Sequence, residues 1–155
     1  MKKKNNSGFT LTELVVVMAV SSIFLGMVMV ILASSLNLFN KNEKQSNIFS
    51  DTVIIDNMAN VFIDEINNNG YQLTFDSSNE KVYYGNNYLD VDDNSNTIYL
   101  KIDSEENKRD ENKVYSDITI DIKYIDDNSF SLVYMKEEKV IKTTVFNVLG
   151  GISHE

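Results

Sequence analysis

The sequence predicts an α+β protein in which a long N-terminal helix packs on a C-terminal antiparallel β-sheet. From Leu14 to Leu36 the chain has no charged residue. These 23 residues would form a helix roughly 35 Å long at about 1.5 Å per residue, enough to cross a bilayer core of about 30 Å. Beyond residue 68, apolar residues recur at every second position in several short runs, which is typical of strands with one buried face.

The helix is expected to continue beyond the uncharged stretch. Asn37 to Ile66 contains no proline or glycine, and apolar or small residues recur there at alternating spacings of four and three. That spacing predicts one face of a helix, formed by Ile48, Thr52, Ile55, Ala59, Phe62 and Ile66. One helix is therefore expected from about Thr10 to about Asn67. The run Asn68-Asn69-Gly70 would end it, because both residue types tolerate the left-handed cap conformation.

The rest of the chain predicts a sheet. Alternating apolar residues mark candidate strands at 71–75, 82–84, 88–89, 98–102, 118–124, 130–134 and 140–146. Segments rich in Asp, Asn and Ser at 76–79, 92–94 and 126–128 predict turns between them. The hairpin around residues 126–128 is the best defined, since two clearly alternating strands flank it.

The N-terminus departs from an ordinary secretory signal peptide, whose cleavage site follows its apolar core. Here the only good small-residue junction, Ser7-Gly8, precedes the apolar run. A cut there would remove the lysines at 2–4, which keep the leader on the cytoplasmic side. Glu13 is a carboxylate at the edge of an apolar helix, where a charge is costly and usually has a partner. A new amine on Phe9 would lie one helical turn from Glu13, in the same chain or in a neighbouring copy.

The segment GFTLTELVVVMAVSSIFL, together with the lysine-rich leader, resembles the cleavage and methylation segment of type IV pilins and pseudopilins. Gly8 before the cut, Phe9 after it and Glu13 as the fifth mature residue match that pattern. The resemblance implies cleavage after Gly8 by a prepilin peptidase and N-methylation of Phe9. It also implies that Glu13 neutralises a neighbour's N-terminal amine during filament assembly. A plain signal-anchor helix would explain the lysines and the apolar run, but not this spacing.

The resemblance implies four segments. Residues 1–8 are a leader removed on maturation, 9–36 a transmembrane or filament-core helix, 37–67 its amphipathic continuation and 68–155 an extracytoplasmic β-sheet domain. The precursor would be a single-pass membrane protein with its C-terminal domain outside the cytoplasm. After assembly it would belong to a filament at the cell surface or in the periplasmic space. Expected partners are other pilin subunits, the prepilin peptidase, the pilus assembly machinery and the membrane.

The expected function is that of a structural filament subunit, not of an enzyme. The sequence has no cysteine and no proline, which favours a minor pilin or pseudopilin of a type IV pilus, or of a related secretion or DNA-uptake filament, over a major pilin. Two alternatives stay open. One is a pilin-anchored adhesin or substrate-binding module at the filament tip, and the other is an uncut, signal-anchored surface domain.

The charge of the chain argues against nucleic acid as a partner. The 155 residues have a net charge of −9, and loss of the lysines at 2–4 would lower it to −12. The longest basic cluster left, Lys108-Arg109, is flanked by acidic residues. Such a surface repels phosphate, whereas nucleic-acid binding needs clustered basic residues. Direct nucleic-acid binding is therefore not expected.

One acidic loop is a weak candidate for calcium binding. Asp90, Asp92, Asn94 and Asn96 place oxygen-bearing side chains at alternate positions, and calcium prefers six to eight oxygen ligands. The loop lacks the glycine and the distal glutamate of an EF-hand. A plain acidic turn is the favoured interpretation, because Asp and Asn are good turn formers, and no cofactor is expected.

Three other features have structural interpretations. The charged segment 103–112 is predicted to be a mobile, solvated loop, with partner binding as the alternative. His154 is predicted to be a tail residue and not a catalyst. The tyrosines are predicted to be half-buried packing residues of strands rather than an exposed patch; they are Tyr83, Tyr84, Tyr88, Tyr99 and Tyr115.

Overall fold

The computed structural model describes residues 10–155. Helix α1 spans Leu11–Asn69, two residues longer at its C-terminal end than predicted. Within the described range nine strands follow: β1 (Leu73–Asp76), β2 (Lys81–Tyr84), β3 (Asn87–Asp92), β4 (Thr97–Asp103), β5 (Lys108–Val114), β6 (Thr119–Asp126), β7 (Ser129–Lys136), β8 (Lys139–Asn147) and β9 (Ile152–His154). The predicted α+β fold, a long helix followed by a largely antiparallel β-domain, is confirmed.

The strands form two sheets rather than one. The first has the order β5-β4-β3-β2-β1-β9, and the second has the order β6-β7-β8. All neighbours are antiparallel except β1 and β9, which run parallel with Leu73 opposite Ile152. The prediction of a purely antiparallel sheet missed this pair, because β9 has three residues and pairs with a strand far away in the sequence.

The chain divides after Lys44 into two compact units. In the first unit, α1 exposes almost all of its apolar side chains between Leu14 and Leu36; Phe24, for example, is 65% exposed. By length and composition this helix could cross a membrane. Apolar side chains in such numbers are stable only in lipid or against other apolar surfaces.

In the second unit, from Gln45 onward, one face of α1 belongs to the hydrophobic core. Its buried residues are Thr52, Ile55, Met58, Ala59, Phe62, Ile63 and Ile66. They include five of the six positions predicted from the spacing, and the sixth, Ile48, is partly buried against the same core. The inner faces of both sheets contribute to this core, for example Leu100 from β4 and Leu132 from β7. The second half of α1 is therefore the central element of the second unit.

The C-terminal end of α1 is fixed by backbone conformation and by one asparagine. Gly70 has a φ of 64°, the left-handed conformation that glycine adopts at low cost. Asn67 Nδ2 donates to the carbonyl of Asn147 at 3.1 Å, and its Oδ1 accepts from the amide of Leu149 at 2.8 Å. At Gly150 a Cβ atom would lie 2.1 Å from the carbonyl oxygen of Tyr71. The connection from β8 to β9 thus needs glycine to approach the helix end.

Two carboxylates of α1 reach the outer strands of the two sheets. Asp51 pairs with Lys113 on β5 at 2.9 Å. Asp56 pairs with Lys142 on β8 and accepts a hydrogen bond from the Tyr134 hydroxyl at 2.5 Å. Tyr134 is fully buried, so its hydroxyl needs this partner. The two ion pairs bind the helix to both sheets.

The structure corrects the prediction of a mobile loop at 103–112. Lys108–Val114 is strand β5, which pairs with β4 along its whole length. Its side chains are nearly all exposed, because β5 is the outermost strand of its sheet. An edge strand without a buried face shows no apolar alternation, which is why the pattern was missed. The actual turn is 104–107, where Ser104 Oγ donates to the Asn107 carbonyl at 2.9 Å.

His154 and the tyrosines lie in ordered surroundings. His154, predicted as a tail residue, lies on β9 with its ring centroid 5.0 Å from that of Tyr124 and 5.6 Å from that of Phe75. Among the tyrosines, Tyr115 is buried, Tyr84 is 37% exposed, and the other three are half-buried. The packing interpretation therefore agrees with the structure better than an exposed patch does.

We expect Asp56→Ala to lower the free energy of unfolding of the full chain in detergent micelles by about 2–3 kcal/mol, since it leaves the buried Tyr134 hydroxyl unpaired and removes an ion pair. Asp103→Ala is the control, because the Asp103 pair with Lys108 is solvent-exposed and should contribute less than about 1 kcal/mol. Urea unfolding followed by circular dichroism measures both. Equal losses for the two variants would contradict the role given to Asp56.

A second prediction concerns alkaline pH. Burial, and then the hydrogen bond to Asp56, raise the pKa of Tyr134 above its ordinary value of 10.0. Because the pKa is higher in the folded state, this contribution to stability is complete below about pH 10 and is lost as the pH rises further. We expect the urea midpoint to fall above that pH, and to fall less steeply in Tyr134→Phe. Identical pH profiles for the two proteins would argue against it.

Candidate processing and assembly site

The candidate site is the start of α1, where the predicted cleavage junction and the single carboxylate of the apolar segment are close in sequence. Gly8 and Phe9 lie outside the described residues, as does the leader. Cleavage after Gly8 and N-methylation of Phe9 therefore stay predictions. The described geometry begins at Thr10 and includes Glu13.

Thr10 and Glu13 form a reciprocal cap on the first turn of α1. The amide of Thr10 donates to Glu13 Oε2 at 2.9 Å, and the amide of Glu13 donates to Thr10 Oγ1 at 3.3 Å. The Thr10 hydroxyl also donates to Glu13 Oε2 at 2.9 Å. This is a capping box, in which each side chain accepts a hydrogen bond from the backbone amide of the other residue, an amide that lacks a partner within the helix. This capping box was not predicted from the sequence, although Thr10-x-x-Glu13 is its ordinary signature.

The cap holds the Glu13 carboxylate at a defined place. Oε2 accepts both bonds from Thr10, while Oε1 accepts no hydrogen bond from the described residues. A negative charge at the N-terminal end of a helix is favoured by the helix dipole. The arrangement can therefore present one carboxylate oxygen to a cation or an N–H donor next to position 9. It offers a charge for pairing and no group for making or breaking bonds.

Beyond Glu13, two serine hydroxyls of the apolar segment are satisfied within the helix. Ser22 Oγ donates to the carbonyl of Ala19 at 2.8 Å, and Ser35 Oγ donates to that of Ile31 at the same distance. Such bonds allow serine to lie in lipid or among apolar helices. A Cβ atom at Gly26 would meet nothing within 4 Å, so no contact among residues 10–155 requires glycine there. Small residues of this kind let another helix approach closely.

The calcium candidates are dispersed over a strand and a turn. Asp90 lies half-buried on β3, and burial raises the pKa of its carboxyl. Asp92 Oδ1 accepts from the amide of Asn94 at 2.9 Å, and Oδ2 accepts from Ser95 Oγ at 2.8 Å. The bond from Ser95 is the main cause that lowers the pKa of Asp92. Asn96 adopts a φ of 48° as the turn enters β4.

The carboxylate of Asp92 is thus occupied by hydrogen bonds from Asn94 and Ser95 of its own turn. Among residues 10–155 no group of three or more histidine or acidic side chains is placed to hold a metal ion. Calcium binding by this loop, and the expectation that the protein uses no cofactor, stay predictions.

Comparison with known proteins gives one match. The family model described as the prokaryotic N-terminal methylation motif matches residues 3–29. Neither a curated protein nor a solved structure matches the chain. The N-terminus is thus a type IV pilin-like prepilin segment, of the kind that marks structural filament subunits and not enzymes. Together with the apolar helix it indicates membrane anchoring and assembly with other pilins.

The capping box makes a testable prediction. Loss of an N-cap side chain costs about 1 kcal/mol, so Thr10→Ala should speed amide exchange at Glu13 and Leu14, whose amides bond to Thr10, by about fivefold in detergent micelles. Thr10→Ser keeps the hydroxyl and should exchange as the unmodified chain does. Thr12→Ala is the matched control, because the Thr12 hydroxyl contacts only that of Thr10 among the described residues. The same increase in Thr12→Ala would show that the Thr10–Glu13 cap is not what protects this turn.

Proposed function

We propose that the protein is a minor pilin or pseudopilin, a structural subunit of a type IV pilus or of a related secretion or DNA-uptake filament. The observation that carries the proposal is the methylation motif at residues 3–29 directly followed by an apolar helix with exposed side chains. Such a helix needs lipid before assembly and other helices afterwards. The absence of cysteine and proline supports a minor pilin or pseudopilin over a major pilin.

The proposed mechanism has four steps. The precursor inserts with the lysines at 2–4 in the cytoplasm and the second unit outside, as the positive-inside rule requires. A prepilin peptidase cuts after Gly8, and the new amine of Phe9 is methylated. The helix then rests in the bilayer until the assembly machinery extracts it. Loss of lipid contacts is offset because the same apolar side chains are buried against the helices of other subunits.

Glu13 would direct that assembly. In the single chain its Oε2 is already bonded to Thr10, which keeps the carboxylate oriented at the helix start. The amine of Phe9 from a neighbouring subunit would pair with the same carboxylate. Opposite charges attract far more strongly in an apolar environment than in water. This pairing would therefore set the axial register between helices that otherwise slide against each other on apolar contacts.

Exposed apolar side chains on α1 continue into the second unit. Phe49 is 69% exposed and Val53 is 39% exposed, while Thr52 beside them is buried in the core. Residues 49 and 53 are one helical turn apart and therefore share a face. We assign this face to packing against the apolar helices of neighbouring subunits, since an isolated unit would leave it in water.

The mass of the N-terminal peptide, from protein made in its native cell, tests the proposal. The expected peptide begins at N-methyl-Phe9. A peptide that begins at Met1 and contains Gly8-Phe9 uncut would contradict it and favour a simple signal-anchored domain. In the same cells, Glu13→Ala should still be cut but should be lost from sheared filaments. Normal incorporation of that variant would contradict the role of Glu13.

Copy number separates the subunit from a tip module. The number of copies of a shaft subunit, even a minor one, increases with the length of the sheared filament, whereas an adhesin or substrate-binding module at the tip appears in a fixed, small number of copies. Quantitative mass spectrometry of the sheared filaments measures this ratio.

A further inference from the structure

An open cavity of about 460 Å³ lies at the C-terminal end of α1. Its walls come from the last turns of α1, from the β2–β3 turn and from the β4–β5 turn. The residues that matter for its chemistry are Glu65, Tyr71, Tyr84, Asn87, Glu105 and Glu106. Small-molecule sites in proteins commonly have volumes of about 300–1,000 Å³. We call this space the helix-end cavity.

Two stacked tyrosines form the aromatic wall of the helix-end cavity. The ring centroids of Tyr71 and Tyr84 are 4.1 Å apart, and the ring planes differ by 12°. Tyr71 is half-buried directly after the end of α1, whereas Tyr84 is 37% exposed at the end of β2. Because each ring holds the other, a ligand would meet an aromatic surface that is already ordered.

Asn87 supplies a buried hydrogen-bond donor without a partner. Its residue is only 6% exposed, and it lines the cavity as the cross-strand neighbour of Tyr84. Its Oδ1 accepts from the amide of Asp103 at 2.6 Å, which identifies the other end of the carboxamide as the donor. That Nδ2 group donates to no residue among 10–155. A buried donor of this kind is costly unless an acceptor is supplied, and the cavity is where a ligand can supply one.

The carboxylates of the β4–β5 turn offer free acceptors on the same cavity. Glu105 and Glu106 make no hydrogen bond or ion pair with other residues of the described range. Their turn is held by the bond from Ser104 Oγ to the Asn107 carbonyl at 2.9 Å. The carboxylate of Glu65, by contrast, already accepts from Asn69 Nδ2 at 3.0 Å.

Charge excludes anionic ligands from the helix-end cavity. Among the described residues that line it, several are acidic and none is basic. The C-terminal end of a helix also carries the negative end of its dipole. A ligand must therefore be neutral or positive, and it must bring an acceptor for Asn87.

We propose that the helix-end cavity binds a neutral sugar residue of a glycan. A sugar hydroxyl can donate to Glu105 or Glu106 and accept from Asn87 Nδ2, and the C–H face of the sugar ring can pack on Tyr84 through dispersion. A lysine side chain would suit the carboxylates and the aromatic rings, but it has no acceptor for Asn87. The inference goes beyond the proposed function and does not depend on it, since both a shaft subunit and a tip module can carry such a site.

A glycan array tests the proposal with the full chain in micelles of a zwitterionic detergent, because a detergent with a sugar headgroup would compete. The array carries neutral, sialylated and sulfated oligosaccharides. We expect binding to neutral glycans and none to the charged ones. When the bound neutral glycan is titrated into isotope-labelled chain, the side-chain amide resonance of Asn87 should shift.

Variants locate the site. Asn87→Asp keeps the oxygen that accepts from Asp103 and removes the donor, so it should weaken glycan binding at least about tenfold. Tyr84→Ala should weaken it to a similar extent, whereas Tyr84→Phe keeps the ring and should bind as the natural chain does. Tyr99→Ala is the matched control, because Tyr99 is a half-buried strand tyrosine that does not line this cavity. Circular dichroism checks that each variant is folded.

Several outcomes would overturn the proposal. They are an array on which no neutral glycan binds, a preference for sialylated or sulfated glycans, and undiminished binding by folded Asn87→Asp or Tyr84→Ala. An equal loss in Tyr99→Ala would place the glycan elsewhere. A tetralysine peptide that binds when neutral glycans do not would assign the cavity to a cationic partner instead. If Asn87→Asp does not fold, Tyr84→Ala against Tyr84→Phe decides, because Tyr84 is partly exposed.

Discussion

The structure depends on one constraint, which is that a single helix must satisfy two different environments. From Leu14 to Leu36 α1 is uncharged and exposes almost all of its side chains, whereas from Thr52 to Ile66 it buries one face in a folded core. Apolar surface left in water costs about 25 cal/mol per Å². The first half therefore requires lipid or other helices. The second half forms the hydrophobic core together with the two sheets.

The second unit holds this helix without disulfide bonds. Its contacts with α1 combine the buried apolar face with ion pairs at Asp51 and Asp56 and with the hydrogen bonds of Asn67. The partners come from β5, from β8 and from the connection to β9. A pull on the helix would thus be distributed over both sheets instead of acting on one strand.

The sequence predicted those parts of the fold that have a local, periodic cause. The buried face of α1 follows from its spacing, and its end follows from Gly70. β5 could not be predicted in this way, because its position at a sheet edge leaves charged residues where apolar ones would mark a strand. β9 depends on pairing with Leu73, about 80 residues earlier in the chain, and no local pattern encodes such a partner.

The sequence likewise predicted only part of the candidate site. The spacing of Glu13 from the Gly8-Phe9 junction indicated its place, but the hydrogen bonds of Glu13 to Thr10 within the chain were not predicted. Thr10 donates to one oxygen of Glu13, and the capping-box signature Thr10-x-x-Glu13 encodes this contact locally. Pairing with another copy depends on a second molecule, and a single sequence cannot specify its position.

Charge repulsion sets the remaining condition for assembly. The mature chain would have a formal charge of −12, and in the proposed filament it must still approach neighbouring subunits within contact distance. At physiological ionic strength, charges more than about 8 Å apart are largely screened. Net charge then matters less than the few groups that face each other.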